Sequence, residues 1–143
     1  MLLEELMGEE AFIKATKEFM MVWNGKHPTP YDFFNTFNRF TGGNIDWFWK
    51  ACYFEYGYAD LGIKYVGRNR IIIERKGNIP VPVRLEITRD DNSQEKIYRN
   101  LDIWKTVITE YPVKLRKGKN IQKIILGDKF TPDADNSDNF YQK

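Results

Sequence analysis

The stretch Val81-Pro82-Val83-Arg84-Leu85-Glu86-Ile87-Thr88 decides the fold of the second half of the chain. Its four aliphatic residues occupy every second position, and the positions between them hold proline or polar residues. Because successive side chains of a strand point to opposite faces, this period of two predicts a strand with one face buried and the other in water.

The same period continues on both sides of this strand, from about residue 62 to the C-terminus. The further predicted strands are Ile63–Val66, Arg70–Arg75, Glu95–Arg99, Ile103–Glu110, Val113–Arg116 and Ile121–Leu126. Turns are predicted at residues 77–78, 90–93 and 117–120, which are rich in Gly, Asn and Asp. About seven short strands with polar turns are typical of an antiparallel sandwich of immunoglobulin-like type. The last dozen residues, rich in Asp and Asn, are expected to form a loop or acidic tail.

Upstream of residue 62 the apolar period changes to that of helices. The start of one helix is especially clear, since Thr29 can cap it, Pro30 suits its first position and Asp32 completes a capping-box-like start. Further helices are predicted over residues 2–7, ended by Gly8, over residues 9–23, and over residues 45–56, capped by Asn44.

Aromatic residues are concentrated in this helical part, where 15 of the 22 Phe, Trp and Tyr lie within residues 1–61. In the predicted helix 45–56 they point in nearly every direction, a pattern typical of helices that are buried on all sides. The second half, a partner or further chain must therefore cover this aromatic helical face. The predicted fold class is α+β, with an N-terminal short-helix bundle (residues 1–61) packed on a C-terminal antiparallel immunoglobulin-like β-sandwich (residues 62–143).

Composition excludes several classes of function. A formal net charge of +2 argues against a dedicated nucleic-acid binder, and no apolar run approaches the ~20 residues that span a membrane. The N-terminus carries acids where a signal peptide carries Lys or Arg, so no export signal is expected. A single cysteine and a single histidine leave no internal disulfide, Cys-rich metal site or His-His zinc motif.

The remaining candidate residues each have a structural explanation that we favour. His27 lies in a loop before a helix cap, and Cys52 lies among aromatic residues, where a thiol behaves as a small apolar side chain. Asp133, Asp135 and Asp138 resemble the start of a calcium loop, but Asp138 stands where that loop needs Gly, so a solvated tail is favoured.

The one basic cluster and the aromatic helices are open to a second interpretation. The cluster consists of Lys114, Arg116, Lys117, Lys119 and Lys123. It alternates with aliphatic residues as the wet face of an edge hairpin would, although it could also bind nucleic acid or another anionic surface. The aromatic helices could form a platform for a carbohydrate or peptide, with a packed core as the favoured alternative.

Several segments together resemble a known family. Residues 23–34, WNGKHPTPYDFF, resemble the W-x-x-K-H-P-x-P-x-D-F-F segment of aminopeptidase-N-type zinc metallopeptidases, particularly bacterial ones. Residues 43–49, GNIDWFW, are similar to the G-x-D-L-D-W-F-W that follows it there. Weaker similarities to the family occur at residues 7–12, 77–83 and 135–140, the last with Asp138 replacing an Asn of the family pattern.

This resemblance implies that the chain corresponds to the last helices of the catalytic domain followed by the β-sandwich domain. The family holds zinc with H-E-x-x-H and a downstream Glu, all upstream of the matched region. No catalytic, cofactor-binding or metal-binding residue therefore carries over, and zinc is expected only in the catalytic domain of the parent enzyme. The chain alone should be inactive.

The expected partners are that catalytic domain or a second copy, bound through the aromatic helical face, with no nucleic acid and no membrane. Localisation stays open, although relatives are often exported. The alternative functions are a free-standing binding module that uses the aromatic helical face or the sandwich, and an unrelated small enzyme that uses His27.

Overall fold

The computed structural model describes residues 1–106, 109–116, 118 and 120–143, which form two compact units, Met1–Glu55 and Tyr56–Lys143. The sequence predicts a division after residue 61, which is the first residue of the first strand. The two compact units divide between Glu55 and Tyr56. The first unit is helical and the second consists mainly of antiparallel strands, which confirms the predicted α+β class.

Four α-helices form the first unit. They are α1 (Leu2–Met7), α2 (Glu9–Trp23), α3 (Pro30–Phe40) and α4 (Asp46–Trp49). Between the first two lies Gly8, whose φ of 83° falls in the left-handed region that glycine adopts without a steric penalty. Its position confirms the helix end predicted there.

The fourth helix differs from the prediction of a continuous helix over residues 45–56. After Trp49 the chain widens into a π-helix, Lys50–Phe54, in which the amide of Glu55 donates to the carbonyl of Lys50 at 3.1 Å. Glu55 itself is extended, with φ −113° and ψ 145°. The sequence pattern does not distinguish a four-residue repeat of hydrogen bonds from a five-residue one, so this prediction of helix type and length is wrong.

Seven strands form two antiparallel sheets in the second unit. The strands are β1 (Leu61–Val66), β2 (Arg70–Arg75), β3 (Val83–Arg89), β4 (Gln94–Arg99), β5 (Glu110–Lys114), β6 (Ile121–Leu126) and β7 (Phe140–Gln142). One sheet has the order β1-β2-β5 and the other the order β4-β3-β6-β7. A constant-type immunoglobulin domain pairs its fourth strand with its fifth, whereas here β4 pairs with β3.

The two sheets bury one face of most strands. The fully buried side chains include Ile71 and Ile73 of β2, Val83 and Ile87 of β3, and Ile124 of β6. Along β3 the buried positions alternate strictly with partly exposed ones, as the period of two predicts. The strand begins at Val83 because Pro82 has no amide hydrogen to donate to a neighbouring strand.

Two further sequence predictions are corrected in this unit. Part of the strand predicted over residues 103–110 is instead a 3-10 helix, Leu101–Lys105, capped by the Asn100 side chain. Its Trp104 donates its indole N–H to the carbonyl of Val81 at 2.8 Å in the core. Val107 and Ile108, in the same prediction, lie outside the described residues, and paired strand begins at Glu110.

The C-terminal segment is more ordered than the predicted loop or tail. It contains a 3-10 helix, Asn136–Asp138, and strand β7, which pairs with β6. Among the described residues, no helix has the length and apolar character needed to cross a membrane.

Candidate functional site

An aromatic cluster joins α3 to α4 and defines the most distinctive surface of the first unit. The cap predicted at the start of α3 positions it: Asp32 N–H donates to Thr29 Oγ1 at 3.4 Å, and Thr29 N–H donates to Asp32 Oδ2 at 2.8 Å. Bonds from the Thr29 hydroxyl and amide lower the pKa of Asp32. This reciprocal capping box satisfies two amides that would otherwise lack partners and fixes the direction of α3.

The buried centre of this cluster is Trp49. Its ring stacks on Phe34 with 4.7 Å between centroids, and its indole N–H donates to Asn38 Oδ1 at 2.8 Å. Asn38 in turn donates to Asp46 Oδ1 at 3.0 Å. Since Asp46 begins α4, these bonds fix α4 against α3.

Three rings at the edge of this cluster are exposed, and we call them the aromatic surface: Tyr31, Tyr53 and Phe54. Their exposed fractions are 63%, 59% and 57%. Phe54 lies 6.2 Å from Tyr31 and 5.7 Å from the buried Phe34, measured between ring centroids. Of the rings in the predicted helix 45–56, Tyr53 and Phe54 are exposed in the isolated chain, whereas Phe48 and Trp49 are buried.

A second exposed apolar group lies at the C-terminal end of α2. Met20 and Met21 are 66% and 79% exposed, and Val22 beside them is also exposed. Exposed apolar groups of this kind are typical of surfaces that bind another macromolecule. Met20, Met21 and Val22 offer apolar contact and contain no group suited to acid–base chemistry.

His27 and Cys52 are not brought together as a nucleophile and base. His27 is exposed in the loop between α2 and α3, whereas Cys52 lies half-buried in the π-helix Lys50–Phe54. Burial raises the pKa of the Cys52 thiol to about 11, so the sulfur stays protonated near neutral pH. A Cys–His catalytic pair therefore has no support in the geometry.

The carboxylates of the C-terminal segment hold it onto the sheet. Asp133 Oδ2 accepts from the amide of Leu61 at 3.3 Å and from Asn139 Nδ2 at 3.0 Å. Asp138 pairs with Lys76. These contacts correct the interpretation of residues 133–138 as a merely solvated tail.

A buried carboxyl, Asp60, lies beside this segment. It is 6% exposed, and its Oδ1 has no hydrogen-bond partner among the described residues. Burial raises the pKa of Asp60, and the nearby Asp133 raises it further, whereas Lys76 opposes the shift. Sequence reasoning missed this group, because a lone Asp before a strand carries no sign of burial.

The predicted basic edge hairpin is also corrected. Lys114 lies on β5 in the three-stranded sheet, whereas Lys123 lies on β6 in the four-stranded sheet and sits 5.3 Å from the Phe140 ring. The two strands are therefore not partners in one hairpin. Lys117 and Lys119 of the same cluster lie outside the described residues.

The donor set does not fit a zinc centre. Zinc sites in proteins use three or four His, Cys, Asp or Glu ligands that converge on one point. In the described part of the chain, no three such side chains are placed to hold a metal ion. The only histidine is exposed on a loop, and the only cysteine is held as a thiol.

Comparison with solved structures identifies a fold relative. The chain is similar to part of Legionella pneumophila aminopeptidase A, solved in complex with aspartic acid, with a TM-score of 0.60 and 16% sequence identity. The similarity covers 87% of this chain and 15% of that chain. No family model matches the chain, and no curated protein matches it. At this identity the likeness establishes the fold, and the chain spans only a small part of the larger protein.

Proposed function

We propose that this chain is the non-catalytic C-terminal portion of an aminopeptidase-N-like zinc metallopeptidase, in which it supports the catalytic domain. The observation that carries the proposal is the fold likeness, which extends over 87% of this chain and over only 15% of an aminopeptidase chain. A region that occupies so small a share of a peptidase is expected to support the remainder.

The roles of the residues in the family-like segments agree with a supporting function. In the first segment, Thr29 and Asp32 cap α3, and Pro30 occupies its first position. In the second, Asp46 accepts from Asn38, and Trp49 packs on Phe34. Both segments thus serve to join α3 and α4, which explains their sequence pattern without any catalytic role.

The proposed partner is the catalytic domain, bound through the aromatic surface and the exposed residues at the end of α2. Burying a further ~600 Å² of apolar area would contribute on the order of 15 kcal/mol before the costs of ordering. When the chain is isolated, the same driving force favours self-association through these rings.

The proposal predicts that the isolated chain is inert as a peptidase. The test is a hydrolysis assay with added zinc and a panel of aminoacyl reporter substrates, on protein that is followed through several purification steps. We expect no turnover that copurifies with the chain. Hydrolysis that tracks with it, and that Ala in place of His27 abolishes, would contradict the proposal and favour a small enzyme.

The aromatic surface also favours the alternative, a free-standing binding module. Three exposed rings, each in contact with the buried Phe34, can hold a peptide or a glycan by stacking and apolar contact. A module of that kind should be monomeric, whereas the portion of a larger enzyme should self-associate when it is isolated.

A further inference from the structure

A wide cleft of the second unit lies between strands β4 and β5, on opposite sheets. It has a volume of about 700 Å³ and is lined by residues of β4, by the 89–93 turn and by the segment that follows β5. None of the residues discussed for the proposed function lines this cleft. The inference drawn from it therefore stands independently of that proposal.

The charge of this cleft is predominantly positive. Its cationic side chains are Arg89, Lys96, Arg99, Lys114 and Arg116, against the two acids Asp91 and Glu95. Both acids have internal partners: Asp91 accepts from the amide and hydroxyl of Ser93, and Glu95 accepts from Arg89 at 2.8 Å.

The floor of the cleft is fixed by a buried arginine. Arg89 is 6% exposed and donates to Glu95 Oε2 and, at 3.2 Å, to the carbonyl of Arg116. Gly118 lies so close that an added Cβ would stand 3.2 Å from the guanidinium. Arg89 thereby ties the segment after β5 to β4 and holds the cleft in one shape.

Both strands beside the cleft are edge strands in the described part of the chain. β4 pairs only with β3, and β5 pairs only with β2. The outer edge of such a strand presents amide and carbonyl groups that an added strand can bind. The six residues of β4 offer an edge about 20 Å long, enough for an extended segment of similar length.

The side chains along this edge are of mixed character. Ile97 is buried, and Glu95 and Arg99, two residues away on either side, share its face of the strand. On the far side, Lys114 and the half-buried Leu115 again place a cation beside an apolar residue. An extended occupant with alternating acidic and apolar side chains presents its carboxylates on one face, which can lie toward Arg99 and Lys114.

We propose that the cleft between β4 and β5 binds an extended acidic peptide segment of a partner protein, which pairs with the edge of β4 and places its carboxylates against Arg99 and Lys114. Backbone pairing provides the geometry and the cations provide selectivity. The cations also discourage pairing of the exposed edge with a second copy of the chain. The same residues therefore bind the acidic peptide and prevent aggregation.

The test is binding of a fluorescein-labelled hexapeptide of alternating glutamate and valine, measured by fluorescence polarisation on the 143-residue chain. We expect the variant with both Arg99→Glu and Lys114→Glu to lose at least about tenfold in affinity for the peptide. Lys129→Glu, a charge reversal outside the cleft, should leave binding unchanged. Affinity should also fall as salt rises from about 0.05 M to 0.3 M, because exposed charges are screened.

Hydrogen exchange provides a readout that does not depend on the variants. Addition of the peptide should slow amide exchange in β4, and the milder pair Arg99→Gln and Lys114→Gln should reduce that protection while keeping the fold. Three results would overturn the proposal: equal binding of a lysine–valine hexapeptide, equal binding of a short DNA duplex, or unchanged exchange in β4.

Discussion

Trp49 donates its indole N–H to the side-chain oxygen of Asn38 over 2.8 Å, while its ring stacks on Phe34 with 4.7 Å between centroids. Trp49 thereby supplies both an apolar and a polar contact between α3 and α4. Trp→Phe at position 49 should lower the free energy of unfolding by about 1–3 kcal/mol, because Asn38 loses its donor and the smaller ring leaves space.

Urea denaturation followed by circular dichroism measures this loss. The matched control is Trp23→Phe, because Trp23 is half-buried at the end of α2, where Lys26 Nζ lies 5.9 Å from its ring centroid. We expect that control to stay within about 0.5 kcal/mol of the parent chain. Equal losses in both variants would mean that the bond to Asn38 adds nothing.

Gly77 approaches the backbone of a neighbouring segment too closely for any side chain. A Cβ at this position would stand 2.1 Å from the carbonyl oxygen of Tyr58, which also accepts from the amide of Ile79 at 3.2 Å. Gly77→Ala should destabilise the second unit by about 1–3 kcal/mol, since backbone must move to make room.

Gly43→Ala is the control for this substitution, because a Cβ there would meet no atom within 4 Å. Thermal melts of both variants test the prediction, and we expect a lower melting temperature for Gly77→Ala than for Gly43→Ala. If Gly77→Ala melts at the same temperature as the parent chain, the backbone at residues 77–78 accommodates a methyl group without loss of stability, and the prediction is wrong.

Asp60 should make stability depend on pH in the direction opposite to a salt-bridged carboxylate. Burial, followed by the field of Asp133, raises its pKa, so the folded chain holds the proton to higher pH than the unfolded chain does. Its contribution to stability is therefore present below the ordinary value of 3.8 and is lost as pH rises through the raised value.

Asp60→Asn should accordingly raise the free energy of unfolding at neutral pH and remove this loss. Urea titrations at a series of pH values test it, with the exposed Asp90→Asn as control. A variant that is less stable than the parent at neutral pH would show that the ionised carboxylate is needed there.

The aromatic surface should drive association of the isolated chain. Replacing Tyr53 and Phe54 by Ser should reduce dye binding and shift sedimentation toward the monomer, because two rings more than half exposed are removed. Replacing Tyr98, which is 48% exposed on β4, is the control and should change neither property. A chain that is monomeric before any substitution would favour the free-standing module.

Local patterns predicted most of the elements because each carries its own signal. Thr29, Pro30 and Asp32 specify a helix start by hydrogen bonding within four residues, and the alternation through Leu85 and Ile87 specifies a half-buried strand. Such signals do not depend on how distant segments meet.

Features that depend on distant contacts escaped prediction. Leu101–Lys105 is apolar enough for a strand, but the bond from Trp104 to Val81 holds it as a 3-10 helix. The burial of Arg89 and Asp60, and the separation of Lys114 and Lys123 onto different sheets, follow from the pairing of the whole unit. A period of two in the sequence predicts a strand but does not predict which other strand pairs with it.

The size of the native polypeptide tests the central claim most directly. An antibody raised against this chain should detect, in an extract of the source cells, a band several times larger than 17.0 kDa. That polypeptide should carry H-E-x-x-H upstream of the matched region. A single band at 17.0 kDa would contradict the account and show that the cell makes this piece alone.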